Sequence, residues 1–372
     1  MPVADGKPLP GAANVWRDAI LLDTGDCFSD VGQLQGERGA AVSPLAALAK
    51  ANTMATAELL VDRYNAEGVR AQNIGERDLA LGRAALESLK ARAKYPFVTT
   101  NLVDAGSGKP LFSRFVLVDV VRADKHVKLA IFGLMSNRPA PSLEVDKLKI
   151  LPPIEALKGA LADAKAQGAE VIIVLSQLLA RDEAAVGEAY PEVQLFLGGD
   201  FMGMSPDAEL AGRALSFAGS QKGKHLGFMT LKFGAPAGAS APFIDPKHKA
   251  SIERKRADAQ RRVDTYQKLI TEAGKPPGSP SAAVAPPGTQ GSGERPKVPL
   301  EVYERQLASA KAELQLALDA VAAMGPSDAD ADGINKVSLE LLPLSRDVVD
   351  DPTVKALIEA FRKKCPDLTP GH

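Results

Sequence analysis

Hydrophobic positions recur along this chain with two different periods, and the switch between them divides it into regions. Short apolar runs that end in glycine or polar residues read as strands: Ala19-Ile20-Leu21-Leu22-Asp23 closing at Thr24-Gly25-Asp26, then Phe97–Thr100, Phe115–Val118, Lys128–Gly133, Val171–Leu175 and Val193–Leu197, the last stopping at Gly198-Gly199. Between them, apolar residues at helical spacing predict helices over 43–66, 80–93 and 153–167, the first ending at Glu67-Gly68, where glycine suits a helix C-terminus. Strands alternating with helices predict an α/β fold.

Beyond residue 235 the period lengthens to heptads. Ala259, Val263, Tyr266 and Ile270 continue a seam from Ile252 that only Arg256 breaks; Leu300, Tyr303, Leu307, Ala310, Leu314, Ala317, Val321 and Met324 form a cleaner one. Each seam needs a partner, and the nearest is the other seam. This predicts an antiparallel helical hairpin over 246–325 with arms of roughly 40 Å. Its tip, 273–297, is more than half Pro, Gly and Ser, a composition suited to a flexible linker. A strand over 336–342 and a helix over 352–363 close the chain. The expected organisation is a lead-in over 1–18, a main domain over 19–235, the hairpin, and 334–364 returning to the main domain.

Composition narrows the functional classes. The 372 residues suffice for a full core, and 45 basic against 46 acidic residues leave a formal charge of −1. That balance gives no broad electrostatic reason to expect nucleic acid or an anionic membrane, and 5% aromatic content argues against base-stacking platforms. No run approaches the roughly 20 apolar residues of a membrane span. Cys27 and Cys365 form neither a disulfide framework nor a zinc motif. Met1–Gly6 carries neither basic nor apolar signal-peptide character.

Five segments, in order, carry a resemblance. The run 19–30 (AILLDTGDCFSD) is similar to a strand and Gly-Asp motif, and 64–82 to a segment leading into Gly-Asn-His-Glu. Residues 95–112 resemble a "Pro, apolar, Asn" strand with its hairpin; 171–183 and 193–200 resemble strands that end in Ser-His and Gly-His-x-His. Together they resemble the calcineurin-like metallophosphoesterase domain of the 5′-nucleotidase family over roughly 19–233. The resemblance implies an α-β-β-α sandwich, to which the helical hairpin is appended.

It also implies two divalent metals sharing a bridging Asp, a pair that clamps phosphate and generates hydroxide. Carried over position by position, Asp26 stands at the bridging carboxylate. Glu76 replaces Asn, Arg77 the adjacent His, Gln177 the His after the apolar strand 171–175, and Asp200 and Met202 the last two His. The family's first motif, Asp-x-His, has no counterpart in the sequence, which is expected to begin after it. His126, His225, His248 and His372 all miss the motif positions. Asp26, Glu76 and Asp200, with Asp23 and Asp78 nearby and Gln177 as a weaker donor, could hold a single Mg²⁺ or Ca²⁺. Alternatively Arg77, as a phosphate or carboxylate partner, neutralises them in a remnant that needs no ion. A hydrolase working through an altered carboxylate site is the third reading.

Two further motifs invite chemistry. Asp328, Asp330 and Asp332 before Gly333 match the first half of a calcium loop, although Leu339 stands at the twelfth position; an Asp-rich turn explains the same letters. Ala105–Lys109 superficially resembles a phosphate loop, but Pro110 stands where Ser or Thr belongs, so a hairpin turn is expected. The expected function is a degenerate, nucleotidase-like protein that binds or assembles, through a protein partner or self-association along the hairpin; the alternative is a phosphate-ester hydrolase. The resemblance implies a periplasmic or exported setting, although the sequence shows no signal peptide.

Overall fold

The computed structural model describes residues 3–4, 7–8, 19–29, 44–122, 125–138, 141–198, 208–218, 224–234, 240–273, 299–323, 334–344 and 350–365. Asp200, Met202, Asp328, Asp330 and Asp332 lie outside them, as does nearly all of 273–297. The chain divides into two compact units, Met1–Ile244 with Gly333–His372, and Asp245–Asp332.

The first unit starts with the short paired strands β1 (Val3–Ala4) and β2 (Lys7–Pro8), then β3 (Leu22–Asp23), α1 (Pro44–Glu67) and β4 (Ala71–Asn73). A 3₁₀ turn, Asp78–Leu81, precedes α2 (Arg83–Arg92). The helix expected over 80–93 is thus broken at Gly82, whose φ of 86° no helix accommodates. There follow β5 (Phe97–Val98), β6 (Leu102–Asp104), β7 (Phe115–Arg122), β8 (Lys125–Met135), α3 (Pro141–Val145), β9 (Leu148–Ile150) and α4 (Pro153–Ala166). Next come β10 (Val171–Gln177), α5 (Ala180–Ala189), β11 (Val193–Gly198), β12 (Glu209–Ala211), β13 (Ala214–Phe217), β14 (His225–Lys232) and β15 (Phe243–Ile244).

The second unit contains α6 (Pro246–Ala273) and α7 (Leu300–Ala323). These two helices pack on each other, burying Ile252, Ala259, Val263 and Ala310, and an Arg262–Glu313 ion pair joins them. The chain returns to the first unit with β16 (Asn335–Pro343) and α8 (Pro352–Lys364). No helix of the described residues is long and apolar enough to cross a membrane.

The sheets stack in layers. A six-stranded sheet runs β12-β13-β11-β10-β8-β7, parallel from β13 to β8 and antiparallel at both edges. Strand β10 is buried on both faces, as a parallel strand between layers must be. Its Ile172 and Val174 face Leu157, Ala160, Leu161 and Ala164 of α4 and Val186 of α5. Its Val171, Ile173 and Leu175 face the opposite way, in one core with Ala71, Val98, Phe243, Val337 and Leu339. That second layer comprises the parallel strands β3-β4-β5 and the mixed β14-β16-β15. Helices α1 and α2 supply a third core, with Val61, Leu86 and Leu89 against Phe97 and Ile74. The order helix, sheet, sheet, helix is an α-β-β-α sandwich, as expected.

The two sheets approach most closely at Gly133 on β8. A Cβ there would lie 2.0 Å from the Val98 carbonyl oxygen and 2.3 Å from Asn73 Oδ1. Asn73 bridges the gap: its Nδ2 donates to the carbonyls of Leu175 (2.9 Å) and Leu134 (3.3 Å), while Oδ1 accepts from Thr99 (3.1 Å). The C-terminal ends of β3, β4, β5, β8 and β10 therefore converge.

Candidate functional site

In open α/β sheets the crevice beyond the strand C-termini is where ligands bind. Here it is a shallow cleft lined by Asp26, Glu76, Met135, Ser136, Arg138 and Gln177. Asp26 follows β3, Glu76 follows β4, Ser136 and Arg138 follow β8, and Gln177 ends β10. Three positions singled out in the sequence, Asp26, Glu76 and Gln177, thus line a single cleft.

The backbone at Asp26 is unusual. Its φ is 62°, a left-handed conformation rare outside glycine and found where surrounding contacts over-determine the chain. Those contacts come from Asp78, fully buried beneath the loop. Asp78 Oδ2 accepts from the backbone N–H groups of Asp26 (2.8 Å) and Gly75 (2.9 Å), and Oδ1 from that of Phe28 (2.9 Å). Burial, reinforced by the charge of Asp26, pushes the Asp78 carboxyl up to about 7, against the opposite pull of the three N–H donors. Asp26 Oδ1 in turn accepts the backbone N–H of Arg77 at 2.8 Å. Gly75 makes this contact geometrically possible, since a Cβ on it would lie 2.0 Å from that same oxygen.

A second polar group lies under the loop. Asp23 accepts from the Gly25 N–H (2.8 Å) and the Tyr64 hydroxyl (2.6 Å), and Gln72 donates to Cys27 Sγ (2.9 Å) while accepting from Tyr95 (2.8 Å). Burial raises the Asp23 carboxyl, and burial together with the charges of Asp23 and Asp78 raises the Cys27 thiol well above its ordinary value. Cys27 is thereby held as the inert thiol, not the thiolate.

Across the cleft, Arg138 Nη1 lies 3.3 Å from Glu76 Oε2, each side chain between a third and a half exposed. Arg77 is the neutralising cation that one reading of the sequence offers. The guanidinium that meets Glu76 belongs instead to Arg138, and Arg77 touches the site through its backbone N–H. Arg138 sits 62 residues from its partner with no motif around it, so the sequence offered no signal for it. Gln177 Nε2 donates to the Thr24 carbonyl (3.0 Å), and the Ser136 hydroxyl donates to Asp182 while accepting from the Leu179 N–H (2.8 Å).

These contacts bear on whether the cleft fits divalent metals. Among the described residues no imidazole lines it, one carboxylate faces a guanidinium, and another already accepts a backbone N–H. Among the described residues no group of three His, Cys, Asp or Glu side chains gathers as a metal site would require. The described residues do not fit a two-metal centre.

The turn at Ala105–Lys109 closes a hairpin through the Val103–Pro110 bridge. The Asp104 carboxylate fills its concave side, accepting from the N–H groups of Gly106 (3.1 Å) and Ser107 (2.8 Å). Arg83 holds that carboxyl well below its usual range, so an anion already occupies the donors a phosphate would need.

Comparison with known proteins agrees in part. No family profile matches the chain. The chain is 26% identical over 169 residues to a 2′,3′-cyclic-nucleotide 2′-phosphodiesterase/3′-nucleotidase of Yersinia enterocolitica, a match covering 42% of this chain and 24% of that protein. It is 25% identical over 175 residues to YunD, an uncharacterized metallophosphoesterase of Bacillus subtilis, covering 46% and 36% respectively. The calcineurin-like phosphoesterase YfkN of Bacillus subtilis superposes with a TM-score of 0.46 at 19% identity, covering 59% of this chain and 72% of that one. The chain is similar to calcineurin-like metallophosphoesterases and nucleotidases, and the matches span about a quarter to a third of those two curated relatives.

Proposed function

We propose that this metallophosphoesterase-like chain is a degenerate member of its kind, which works by binding or assembly rather than by two-metal hydrolysis. One observation carries the reading: the Glu76–Arg138 ion pair, 3.3 Å long, lies in the same cleft as Asp26 and Gln177. A guanidinium paired with Glu76 supplies positive charge that a metal would otherwise supply, and it brings no bound water to activate. The conversion of imidazole positions to Arg77 and Gln177 supports the same reading.

The test is turnover of a phosphomonoester and of a 2′,3′-cyclic nucleotide, with Mg²⁺, Mn²⁺, Zn²⁺ and Ca²⁺ supplied singly. A flat response with every ion supports a silent scaffold; metal-dependent turnover that Asp26→Ala abolishes contradicts it. The left-handed backbone at Asp26 favours a second reading, a hydrolase using an altered carboxylate site, because strained residues concentrate at working sites. The same assay separates the two.

For assembly, the surface we favour is the helical pair α6 and α7, where Leu300, Val302 and Leu318 of α7 are each more than a third exposed. Val302→Glu with Leu318→Glu is expected to dissolve self-association measured by sedimentation; an unchanged mass in a protein that self-associates contradicts this. The family resemblance also favours an exported protein, which fractionation of the native host tests.

A further inference from the structure

Helix α8 contrasts with the other long helices of its unit. Helix α4, of nearly equal length, buries Leu157, Ala160, Leu161 and Ala164, whereas no residue of α8 is buried. Yet α8 has a clear apolar stripe. Val354, Leu357, Ile358 and Phe361 follow i, i+3, i+4, i+7 spacing on one face, with Leu357 41% and Ile358 38% exposed. The helix is also well supported locally. Asp351 caps it, accepting the N–H groups of Thr353 (2.8 Å) and Val354 (3.0 Å), and three cations in its last turn complement the dipole.

Charge is segregated around that stripe. At 3.6 residues per turn, Lys355 and Arg362 border it on one side and Lys364 on the other, while the helix's one acid, Glu359, lies on the opposite face with Lys363. Dipole compensation alone does not explain this layout, because Lys355 belongs to the first turn, where its ammonium meets Asp350 at 3.8 Å in a solvent-exposed pair that contributes little. Long basic stems on both borders of an apolar face can run along hydrocarbon and raise their charged ends to phosphate level. A near-neutral total charge conceals this local arrangement.

We propose that α8 is an interfacial helix, which lies on a bilayer containing anionic phospholipid with its apolar stripe turned inward and its border cations on lipid phosphates. Glu359 then faces water. The inference does not depend on the state of the cleft.

The experiment is co-sedimentation of the full chain with vesicles of equal parts phosphatidylglycerol and phosphatidylcholine, or of phosphatidylcholine alone, at low and high salt. Two variants accompany it: Lys355→Gln with Arg362→Gln and Lys364→Gln, and Ile358→Glu, all at exposed positions, with circular dichroism confirming the fold. Each border cation is expected to contribute roughly a fivefold factor, so the triple variant binds anionic vesicles roughly a hundredfold more weakly. Wild type should prefer anionic vesicles, salt should weaken binding, and Ile358→Glu should lose it. Equal binding to neutral vesicles, binding indifferent to both variants, or no binding at all overturns the proposal. So does a change in oligomeric mass with α8 variants in a protein that ignores vesicles, which would make the stripe a protein contact.

Discussion

The carboxylate of Asp78 holds the backbone N–H of Asp26 at 2.8 Å across 52 residues of chain, fixing the one cleft carboxylate whose backbone is left-handed. Asp78→Ala leaves three N–H donors without their acceptor and is expected to cost about 2–4 kcal/mol in denaturant unfolding. Asp78→Asn keeps one acceptor oxygen and should cost less.

The same residue sets a pH dependence. Its carboxyl stands at about 7 folded and near 3.9 unfolded, so the folded state binds the extra proton between those values. Its contribution to stability is complete below about pH 4 and fades as pH rises through about 7. The stability gap between wild type and Asp78→Ala should therefore narrow over that window; a gap that widens contradicts the assignment.

Gly133→Ala tests the contact between the sheets. The added Cβ meets the Val98 carbonyl oxygen at 2.0 Å, a backbone atom that cannot yield cheaply. A loss of about 3 kcal/mol or more is expected. Gly106→Ala, whose Cβ meets only Asp104 Oδ1 at 3.5 Å, serves as the mild control.

Glu183 on α5 is buried, accepts the hydroxyls of Ser176 and Ser216, and is raised above the ordinary carboxyl range by burial. Glu183→Ala should cost about 2–3 kcal/mol by leaving both hydroxyl hydrogens without their carboxylate acceptor. Glu183→Gln should be milder, since hydroxyls can rotate to serve an amide, and it should remove the loss of stability that Glu183 causes as pH rises.

The legible parts of the sequence were those where burial imposes a long pattern. Strand β10 and helix α4 are continuous or strictly periodic because each meets core on extended faces. Strand β4 escaped notice because Ala71-Gln72-Asn73 is short and half polar, its side chains buried by hydrogen bonds rather than by hydrophobicity. Helix α5 escaped because only Glu183, Val186 and Gly187 of its ten residues are buried. In the site, Asp26, Glu76 and Gln177 were readable from their motifs. Arg138 was not, since a long-range ion pair leaves no local trace, and neighbouring Arg77 was the natural assignment.

Removing that cation has a directional consequence. Arg138→Gln leaves Glu76 without the guanidinium, so added Mg²⁺ or Ca²⁺ should raise the thermal midpoint of the variant and not of wild type. At a hundredfold over Kd the gain would be about 2.7 kcal/mol, a shift of several degrees. Identical responses of both proteins contradict the view that Arg138 takes the cation's place.

The most direct measurement is isothermal titration of wild type with Mn²⁺, followed on the same sample by a phosphomonoesterase assay. The account predicts no saturable heat and no turnover above the metal-only blank. Two saturable equivalents of Mn²⁺, with turnover that Asp26→Ala removes, would contradict it.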